Sequence, residues 1–406
     1  MKAIIKILLA AAAVAFAHCL FAEINPNDVN KKFGFNLMGD ANLWDDSAAD
    51  MTKRIGAPFE STKLADSNVY TTYAKGRSGL AAMLAQIRIT EKAGKVSQVD
   101  LVFFNKGDAM GGKKSKQKAQ SQTKQQLASI EKQQLASIRK TLNDFCGEAA
   151  AGVWGYGRTK NKAEIWNYEN IVLSLEYKQK EFIILHITPA GADVSANQKS
   201  VAAADFDGKV NVANSPNGDV FIKNIPMVDQ GPKGYCVPAT IERVLKYYSI
   251  PDIDMHKIAA ACKTSAGGGT TLAGVKNDFK KVCNTFKLRM SDVGSFSMNS
   301  IVSMVDKGIP ICWALFSTEP YTKRMMENSE KRKSETNFDN YMSFINGQKK
   351  LSKAREGPHV CLIIGYNKKS KEIAVSNSWG ERFDIAWVRF DDAKIVSNSL
   401  FVINPR

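Results

Sequence analysis

A cysteine preceded by a glutamine in the C-terminal half of the chain combines residue types that can support nucleophilic catalysis. The segment DQGPKGYCVPAT, residues 229–240, places Gln230 six positions before Cys236. The apolar residues that follow recur with helical spacing, which predicts a helix that begins at Cys236. Unpaired N–H groups and the dipole at a helix N-terminus favour a thiolate. We therefore predict that Cys236 is an exposed nucleophile with a lowered pKa.

His359 is the histidine best placed to act as the base for this thiol. Of the other three, His18 lies in an N-terminal apolar run, His186 lies in a strand-like run, and His256 lies on a predicted surface helix, where we expect a solvated or capping role. His359 begins the apolar run HVCLIIGYN, which predicts a buried strand. A thiolate nucleophile needs such a group to take and return a proton.

Asn377 is the predicted partner of His359. A polar turn, NKKSK, follows the strand of His359, and EIAVSNSWG follows the turn, so the two runs predict a hairpin. His359 and Asn377 are equally far from Lys368 in the turn. Residues opposite each other across a hairpin lie about 5 Å apart, so the amide is expected to orient the imidazole.

Gln230 and the backbone around it predict an oxyanion hole. Its side-chain amide and the backbone N–H of Cys236 are suited to stabilise negative charge on a substrate carbonyl. Gly231 and Gly234 are expected to let the chain turn sharply before the helix.

These residues together resemble the papain-like cysteine peptidases. The residues that match the motifs of this family are Gln230, Gly231, Gly234, Cys236, His359 and the quartet NSWG at 377–380. The stretches DQGPKGYCVPA and VDKGIPICWAL also resemble the bacterial peptidases of the double-glycine-leader type, a branch of the same clan. The resemblance covers 221–406.

The resemblance implies a role for each matching residue. Cys236 is implied as nucleophile, His359 as general base and acid, Asn377 as orienting residue and Gln230 as oxyanion donor. It further implies that Trp379 shields the Asn–His hydrogen bond and that Gly234, Tyr235 and Trp379 contact substrate. The implied fold is a helical lobe that carries the cysteine and an antiparallel β lobe that carries the histidine and asparagine.

The chain also departs from the papain pattern. Lys233 stands where papains commonly have a disulfide-bonded cysteine, and Val237 stands where a tryptophan usually follows the nucleophile. A charged segment, 319–356, contains nine Lys or Arg residues and is expected to cover or line the cleft. Residues 23–195, which precede the peptidase-like region, do not resemble the helical papain pro-segment.

Composition and the position of a stretch rich in turn-forming residues predict two domains after an export signal. Residues 1–22 have the basic start, apolar run and small-residue end of a secretory signal peptide. Residues 23–195 read as an α+β domain with a basic, Gln-rich helix at about 113–145, which contains the duplicated sequence KQQLASI. Residues 196–220 are rich in Asn, Gly, Asp and Ser and predict a linker. The peptidase-like domain takes 221–406.

Charge and cysteine content place further bounds on the chain. The net charge is +16, which falls to +14 without Lys2 and Lys6 and makes anionic surfaces incidental partners. We predict a peptide or protein substrate, no specific nucleic acid partner, no transmembrane segment, no cofactor and no metal.

The cysteines beyond the signal number six, so three disulfides are an open alternative, with Cys262–Cys283 as one possible pair. Cys312 and Cys361 lie in apolar runs and are expected to be buried free thiols.

The sequence leaves two alternatives to an exported, periplasmic or secreted peptidase. One is an inactive, peptidase-shaped binding module. The other is a thiol amidase or acyltransferase that acts on cell-wall or conjugated amides, since the acyl-enzyme chemistry is shared. The oligomeric state, and the choice between a pro-region and a separate module for 23–195, also stay open.

Overall fold

The computed structural model describes residues 25–39, 42–64, 66–73, 78–109, 117–192, 206–231, 233–250, 253–265, 269–352 and 356–406. The predicted signal peptide lies outside these ranges. Within them, no helix is long and apolar enough to cross a membrane. The chain combines helices with two antiparallel sheets, which agrees with the predicted α+β class.

The first sheet contains eight antiparallel strands in the order β1-β2-β3-β4-β8-β7-β6-β5. Runs rich in Ile, Val, Leu and Phe form its centre, as their strand propensity favours. The β3–β4 hairpin turns at Ala93 and Gly94, both with positive φ. The strands are β1 Glu60–Lys63, β2 Asn68–Thr72, β3 Gln86–Lys92, β4 Lys95–Asn105, β5 Ala150–Trp154, β6 Asn161–Tyr168, β7 Ile171–Lys178 and β8 Phe182–Pro189.

Helices cover one face of this sheet. They are α1 Pro26–Phe33, α2 Ala48–Ile55 and α4 Gln117–Cys146, whereas the short α3 Lys106–Ala109 directly follows β4 and contacts the second domain. Ser47 caps α2 and Gly56 ends it in the left-handed conformation. Ile138 and Leu142 of α4 are buried against the sheet, whereas Ile130 of the same helix is 44% exposed. This is the basic, Gln-rich helix predicted at about 113–145.

The opposite face of the first sheet packs on the second domain. Side chains alternate along a strand, so Leu101 and Leu185 enter the helix-covered core while Val102 and Ile184 point the other way. Val102 and Ile184 form a buried apolar cluster that also includes Ala260 from the second domain. The first domain therefore shares a packed interface with the second and is not a loosely tethered unit.

Buried charges on this shared face are paired across the interface. His186 hydrogen-bonds to Asp100 over 2.8 Å and to Glu176 over 2.9 Å, and Lys257 of the second domain lies 3.0 Å from Glu176. Burial alone would lower the pKa of His186, but the two carboxylates outweigh burial and raise it. Another cross-domain pair joins Arg88 to Asp254 over 2.6 Å. Because buried charges are costly without partners, these pairs tie the two domains together.

The second sheet carries the C-terminal domain. Its main path runs β11-β16-β12-β13-β10-β9, and β14 joins β13 to β15. The strands are β9 Val212–Asn214, β10 Asp219–Ile222, β11 Leu288–Asp292, β12 Ile311–Phe316, β13 Pro358–Asn367, β14 Glu372–Ser376, β15 Ala386–Arg389 and β16 Ser397–Pro405. Residues 206–220, assigned to the linker from composition, belong to this domain, because β9 and β10 pair with its sheet. Residues 196–205 of the predicted linker lie outside the described ranges.

Helices surround the second sheet. They are α5 Cys236–Tyr247, α6 Met255–Ala261, α7 Leu272–Gly274, α8 Lys280–Thr285, α9 Met298–Val305, α10 Glu319–Ser334, α11 Phe338–Asn346 and α12 Phe390–Val396. A π-helical stretch, Val275–Phe279, joins α7 to α8. His256 on α6 is buried, not solvated as predicted, because α6 is the helix that the first sheet covers. Its Nε2 lies 3.3 Å from Gln86 Oε1 of that sheet.

The six cysteines of the described residues are all free thiols, so the alternative of three disulfides is not supported. Cys262, Cys283, Cys312 and Cys361 are buried, and Cys146 and Cys236 are half-buried. The prediction of buried free thiols at Cys312 and Cys361 is therefore confirmed.

Candidate active site

Cys236 is the first residue of α5, as the sequence predicts. Tyr235 precedes the helix with φ −101° and ψ 27° and provides no side-chain cap. Gly231 has φ +63°, a conformation that favours glycine, whereas Gly234 does not adopt a left-handed φ. The sharp turn before the helix is thus made at Gly231, whose N–H donates to Asp229 Oδ1 over 2.8 Å.

The Cys236 thiol is less acidic than its position at a helix start predicts. Its side chain is half-buried, and burial raises the pKa of the thiol. Backbone N–H groups of Val360, Val237 and Cys236 itself act in the opposite direction but do not outweigh burial. The contact with Val360 places the sulfur beside β13, next to the residue that follows His359 in sequence. A thiolate at Cys236 therefore depends on a nearby proton acceptor rather than on the helix alone.

His359 and Asn377 meet as predicted, but in a different register. His359 Nε2 lies 2.8 Å from Asn377 Oδ1. The β13–β14 pairing aligns Leu362 with Ser376 and shifts at a bulge beyond Ile363. Continued to His359, this register would reach position 379 rather than 377. Asn377 follows the end of β14, so its side chain reaches His359 from outside the ladder.

The imidazole of His359 is held in a defined tautomer and covered by an aromatic ring. An amide oxygen can only accept, so Nε2 carries the proton and Nδ1 is the basic nitrogen. The Trp379 ring stacks on the imidazole with centroids 4.6 Å apart. Burial lowers the pKa of His359 to about 4, although the hydrogen bond to Asn377 raises it. The ring is therefore neutral near pH 7 and able to accept a proton.

Gln230 is fixed by three hydrogen bonds. Its Nε2 donates to Lys233 O over 3.1 Å, and Ser378 Oγ donates to its Oε1 over 2.9 Å. Its backbone N–H donates to Ser378 O over 2.9 Å. An amide nitrogen carries two N–H donors, so one remains for a substrate oxygen after the bond to Lys233. Sequence reasoning did not assign Ser378 a role, although it lies within the NSWG quartet.

The three residues predicted to contact substrate differ in exposure: Tyr235 is buried, and the other two are not. Tyr235 is only 2% exposed, and its ring packs on Gly107 of the first domain. Its side chain is therefore not accessible to a ligand, because the first domain covers it. Gly234 is exposed and Trp379 is half-buried, so both remain accessible to a ligand.

Arg243 is a buried residue of the site that the sequence did not single out. It lies on α5, is fully buried, and donates to Pro226 O, Asn377 O and Ser376 Oγ over 2.8, 2.9 and 2.6 Å. Burial lowers its pKa to about 10, against the attraction of Asp384 at 3.1 Å, so it stays charged near pH 7. A guanidinium within an otherwise apolar helix face is the sequence signal that points to such a role.

The charged segment 319–356 contacts Asn377 through one of its helices. It forms α10 and α11, and α10 packs on β15. Asn377 Nδ2 donates to Met325 Sδ on α10 over 3.7 Å, and Arg332 pairs with Asp219 and Glu372 of the second sheet. The described part of this segment therefore packs against the second sheet and contacts the site at Asn377.

The geometry assembles the parts of a thiol-dependent acyl-transfer site. A helix-terminal thiol, a neutral imidazole oriented by an amide, and a fixed glutamine amide lie on elements of one domain. Among the described residues, no group of three or more His, Cys, Asp or Glu side chains is arranged to hold a metal ion.

Comparison with known proteins agrees with this chemistry. Residues 222–398 match the model described as the Peptidase_C39 like family, and this match confirms the resemblance of this part of the chain to papain-like cysteine peptidases. No curated protein matches the chain.

Two solved structures resemble the chain only distantly. Xylellain, a cysteine protease from Xylella fastidiosa, shares 11% identity and has a TM-score of 0.34, covering 50% of this chain and 90% of its own. A cysteine-rich secretory protein from Staphylococcus aureus shares 7% identity with a TM-score of 0.20, covering 70% of this chain and 86% of its own.

Proposed function

We propose that the protein is an exported cysteine peptidase that hydrolyses peptide bonds with Cys236 as nucleophile, His359 as base and acid, Asn377 as orienting residue and Gln230 as oxyanion donor. The observation that carries the proposal is the 2.8 Å hydrogen bond between His359 Nε2 and Asn377 Oδ1. It fixes the tautomer in which Nδ1 takes a proton, and it does so beside the strand that contacts the Cys236 sulfur.

Acylation begins with a proton transfer within the site. The Cys236 thiol gives its proton to His359 Nδ1, and the thiolate attacks the carbonyl carbon of the scissile peptide bond. The carbonyl π electrons move to oxygen, where the backbone N–H of Cys236 and the remaining N–H of Gln230 stabilise the charge. The imidazolium then protonates the leaving nitrogen, the C–N bond breaks, and a thioester remains on Cys236.

Deacylation repeats the proton transfers with water as the nucleophile. The neutral imidazole removes a proton from water as the oxygen attacks the thioester carbon. When the C–S bond breaks, the proton returns to the sulfur and the carboxylic acid product leaves. The Trp379 ring over the imidazole keeps water away from the His359–Asn377 hydrogen bond during both halves of the reaction.

Export is part of the proposal and is supported by the sequence of residues 1–22. A basic start, a short apolar run and small residues near position 22 are the features that export machinery reads. Mature protein recovered outside the cytoplasm, with an N-terminus near residue 23, would support export. Cytoplasmic protein that keeps residues 1–22 would contradict it.

Four single substitutions test the assigned roles through their order of effect. Cys236→Ala and His359→Ala should each abolish peptide hydrolysis, while Asn377→Ala should leave a measurable remnant, because it only orients the base. Gln230→Ala should lower kcat by about 10²–10³, the usual loss for one oxyanion donor. Full activity in His359→Ala would contradict the mechanism. A folded protein that binds peptides without cleaving any would instead support the binding-module alternative.

A further inference from the structure

We infer that the first domain holds the oxyanion loop, defined as residues 229–231 and 233–236, in its working conformation, and that Asp108 and Tyr73 are the positioning residues through which it acts. The inference rests on the proposed function of Gln230 and Cys236 at the two sides of this loop. It assigns to the N-terminal domain a part in catalysis that neither a free module nor a removable pro-region would have.

The strongest contact is a buried ion pair between the domains. The Lys233 side chain is 0% exposed, and its Nζ lies 3.1 Å from Asp108 of α3. Asp108 is itself fixed by Asn105, whose Nδ2 donates to Asp108 Oδ2 over 2.7 Å. The Tyr73 ring lies 4.6 Å from the Lys233 ammonium, in reach of a cation–π interaction. The loop thus places its one cation inside a site that the first domain has built.

Two further contacts hold the backbone on either side of Lys233. Tyr73 OH donates to Asp229 O over 2.9 Å. Gly107 packs so closely that a Cβ at this position would lie 2.7 Å from the Tyr235 ring and 3.1 Å from Lys233 Cβ. The first domain therefore contacts the loop at its start, at its middle and just before the nucleophile.

The same loop carries the hydrogen bond that orients Gln230. Lys233 O accepts from Gln230 Nε2 over 3.1 Å, so a movement of Lys233 redirects the amide that is proposed to bind the oxyanion. The described part of the loop before Cys236 has no helix or strand of its own. Without a ladder or helix to fix it, the loop relies on side-chain anchors, and catalysis is sensitive to errors of about 1 Å in such groups.

A second buried lysine provides a matched control. Lys257 also belongs to the second domain, is 4% exposed, and lies 3.0 Å from Glu176 of the first domain. Lys257→Met and Lys233→Met thus remove the same kind of buried, cross-domain ion pair, but only Lys233 lies in the oxyanion loop. Loss of stability alone would affect both variants in the same way.

The first experiment compares these two variants in the full-length protein, with kcat and KM on a fluorogenic peptide and stability from urea unfolding. Lys233→Met should lower kcat by about 10–100-fold with KM within about twofold, because the oxyanion donor is misplaced while substrate binding persists. Lys257→Met should keep kcat within about twofold at 25 °C. Equal losses of kcat in both variants, or no loss in Lys233→Met, would overturn the inference.

The second experiment uses milder changes and does not depend on the folding of the lysine variants. Asp108→Asn should lower kcat in the wild-type background and have little further effect in a Gln230→Ala background, because the group it positions is absent. Tyr73→Phe, which removes only one hydrogen bond, should cost about fivefold in kcat. Alkylation of Cys236 by iodoacetamide, which needs no oxyanion hole, should keep its rate in both variants. Full additivity with Gln230→Ala would contradict the inference.

The two proposals fail in different ways. If Gln230→Ala leaves kcat unchanged, the proposed oxyanion role itself is wrong. If Gln230→Ala lowers kcat but neither Lys233→Met nor Asp108→Asn does, the peptidase mechanism stands and the positioning role of the first domain is wrong.

Discussion

Arg243 donates a hydrogen bond to the carbonyl oxygen of Asn377 over 2.9 Å, and so joins the helix of the nucleophile to the residue that orients the base. Arg243 lies seven residues after Cys236 on α5, about two helical turns away. The same guanidinium reaches Ser376 and Pro226, which lie on either side of the site. The relative placement of Cys236 and Asn377 is therefore set within the second domain by one buried side chain.

Replacing Arg243 should destabilise the protein and disturb the site. Arg243→Met leaves the carbonyl oxygens of Asn377 and Pro226 buried without their donor, at a cost of about 1–3 kcal/mol each. We expect the free energy of unfolding, measured with urea, to fall by about 2–4 kcal/mol. The matched control is Arg139→Met, whose ion pair with Glu164 is partly exposed and should matter by less than about 1 kcal/mol. Equal effects of the two changes would contradict this account of Arg243.

The acid limb of activity should report the protonation of His359. Burial lowers the pKa of His359 to about 4, and only the neutral ring can accept the thiol proton. Peptidase activity, measured as kcat/KM, should therefore persist at mildly acidic pH and fall as the pH drops through about 4.

Asn377→Asp should move this limb to higher pH. A carboxylate in place of the amide stabilises the imidazolium and raises the pKa of His359, by about one to two units for a neighbouring opposite charge. Asn377→Ala is the control: it should lower the rate without raising the pH of the limb, because it introduces no charge. A limb that stays near pH 4 in Asn377→Asp would show that His359 is not the group that titrates.

Cys236 should be the first thiol to react in the native protein. It is half-buried and lies beside β13 near His359, whereas Cys262, Cys283, Cys312 and Cys361 are buried. Cys146 is also half-buried, but burial raises the pKa of its thiol to about 12 and the described contacts give it no basic partner. Peptide mapping after brief exposure to iodoacetamide should find the label on Cys236. Earlier labelling of Cys262 or Cys283 would count against the assignment.

The two domains should stay together after the chain between them is cut. Cleavage at a specific protease site introduced within 196–205 would break the chain between the first sheet and the second. It would leave the ion pairs between the domains in place, which are Lys233–Asp108, Lys257–Glu176 and Arg88–Asp254. The fragments should therefore co-elute on size exclusion and keep peptidase activity. Separation of the fragments, or a strong rise in activity on cutting, would favour a removable pro-region.

The local features of the site could be predicted from sequence, because they depend on neighbours along the chain. The helix start at Cys236 follows from apolar periodicity, and the approach of His359 to Asn377 follows from the hairpin. The register could not be predicted, because the pairing shifts at a bulge after Ile363, and because Asn377 leaves β14 and contacts Met325 of α10, which is distant in sequence.

The cross-domain features could not be predicted, because their partners are distant in sequence. Tyr235 was predicted to contact substrate, and Lys233 was identified only as a departure from the papain pattern. Both are buried by Asp108 and Gly107, which lie more than 120 positions earlier. His256 looked solvated for the same reason, since its helix is covered by the first sheet. A single sequence does not show which residues of the first domain contact which residues of the second. The family resemblance does not help, because it covers only the second domain.

The most direct test of the central claim is hydrolysis of a peptide library by purified full-length protein, compared with Cys236→Ser. Products are identified by mass spectrometry, and circular dichroism checks that both proteins are folded. Our account predicts that the wild-type protein cleaves peptide bonds, that an epoxysuccinyl reagent blocks this activity by alkylating Cys236, and that Cys236→Ser is folded but inactive. Undiminished cleavage by folded Cys236→Ser would contradict it.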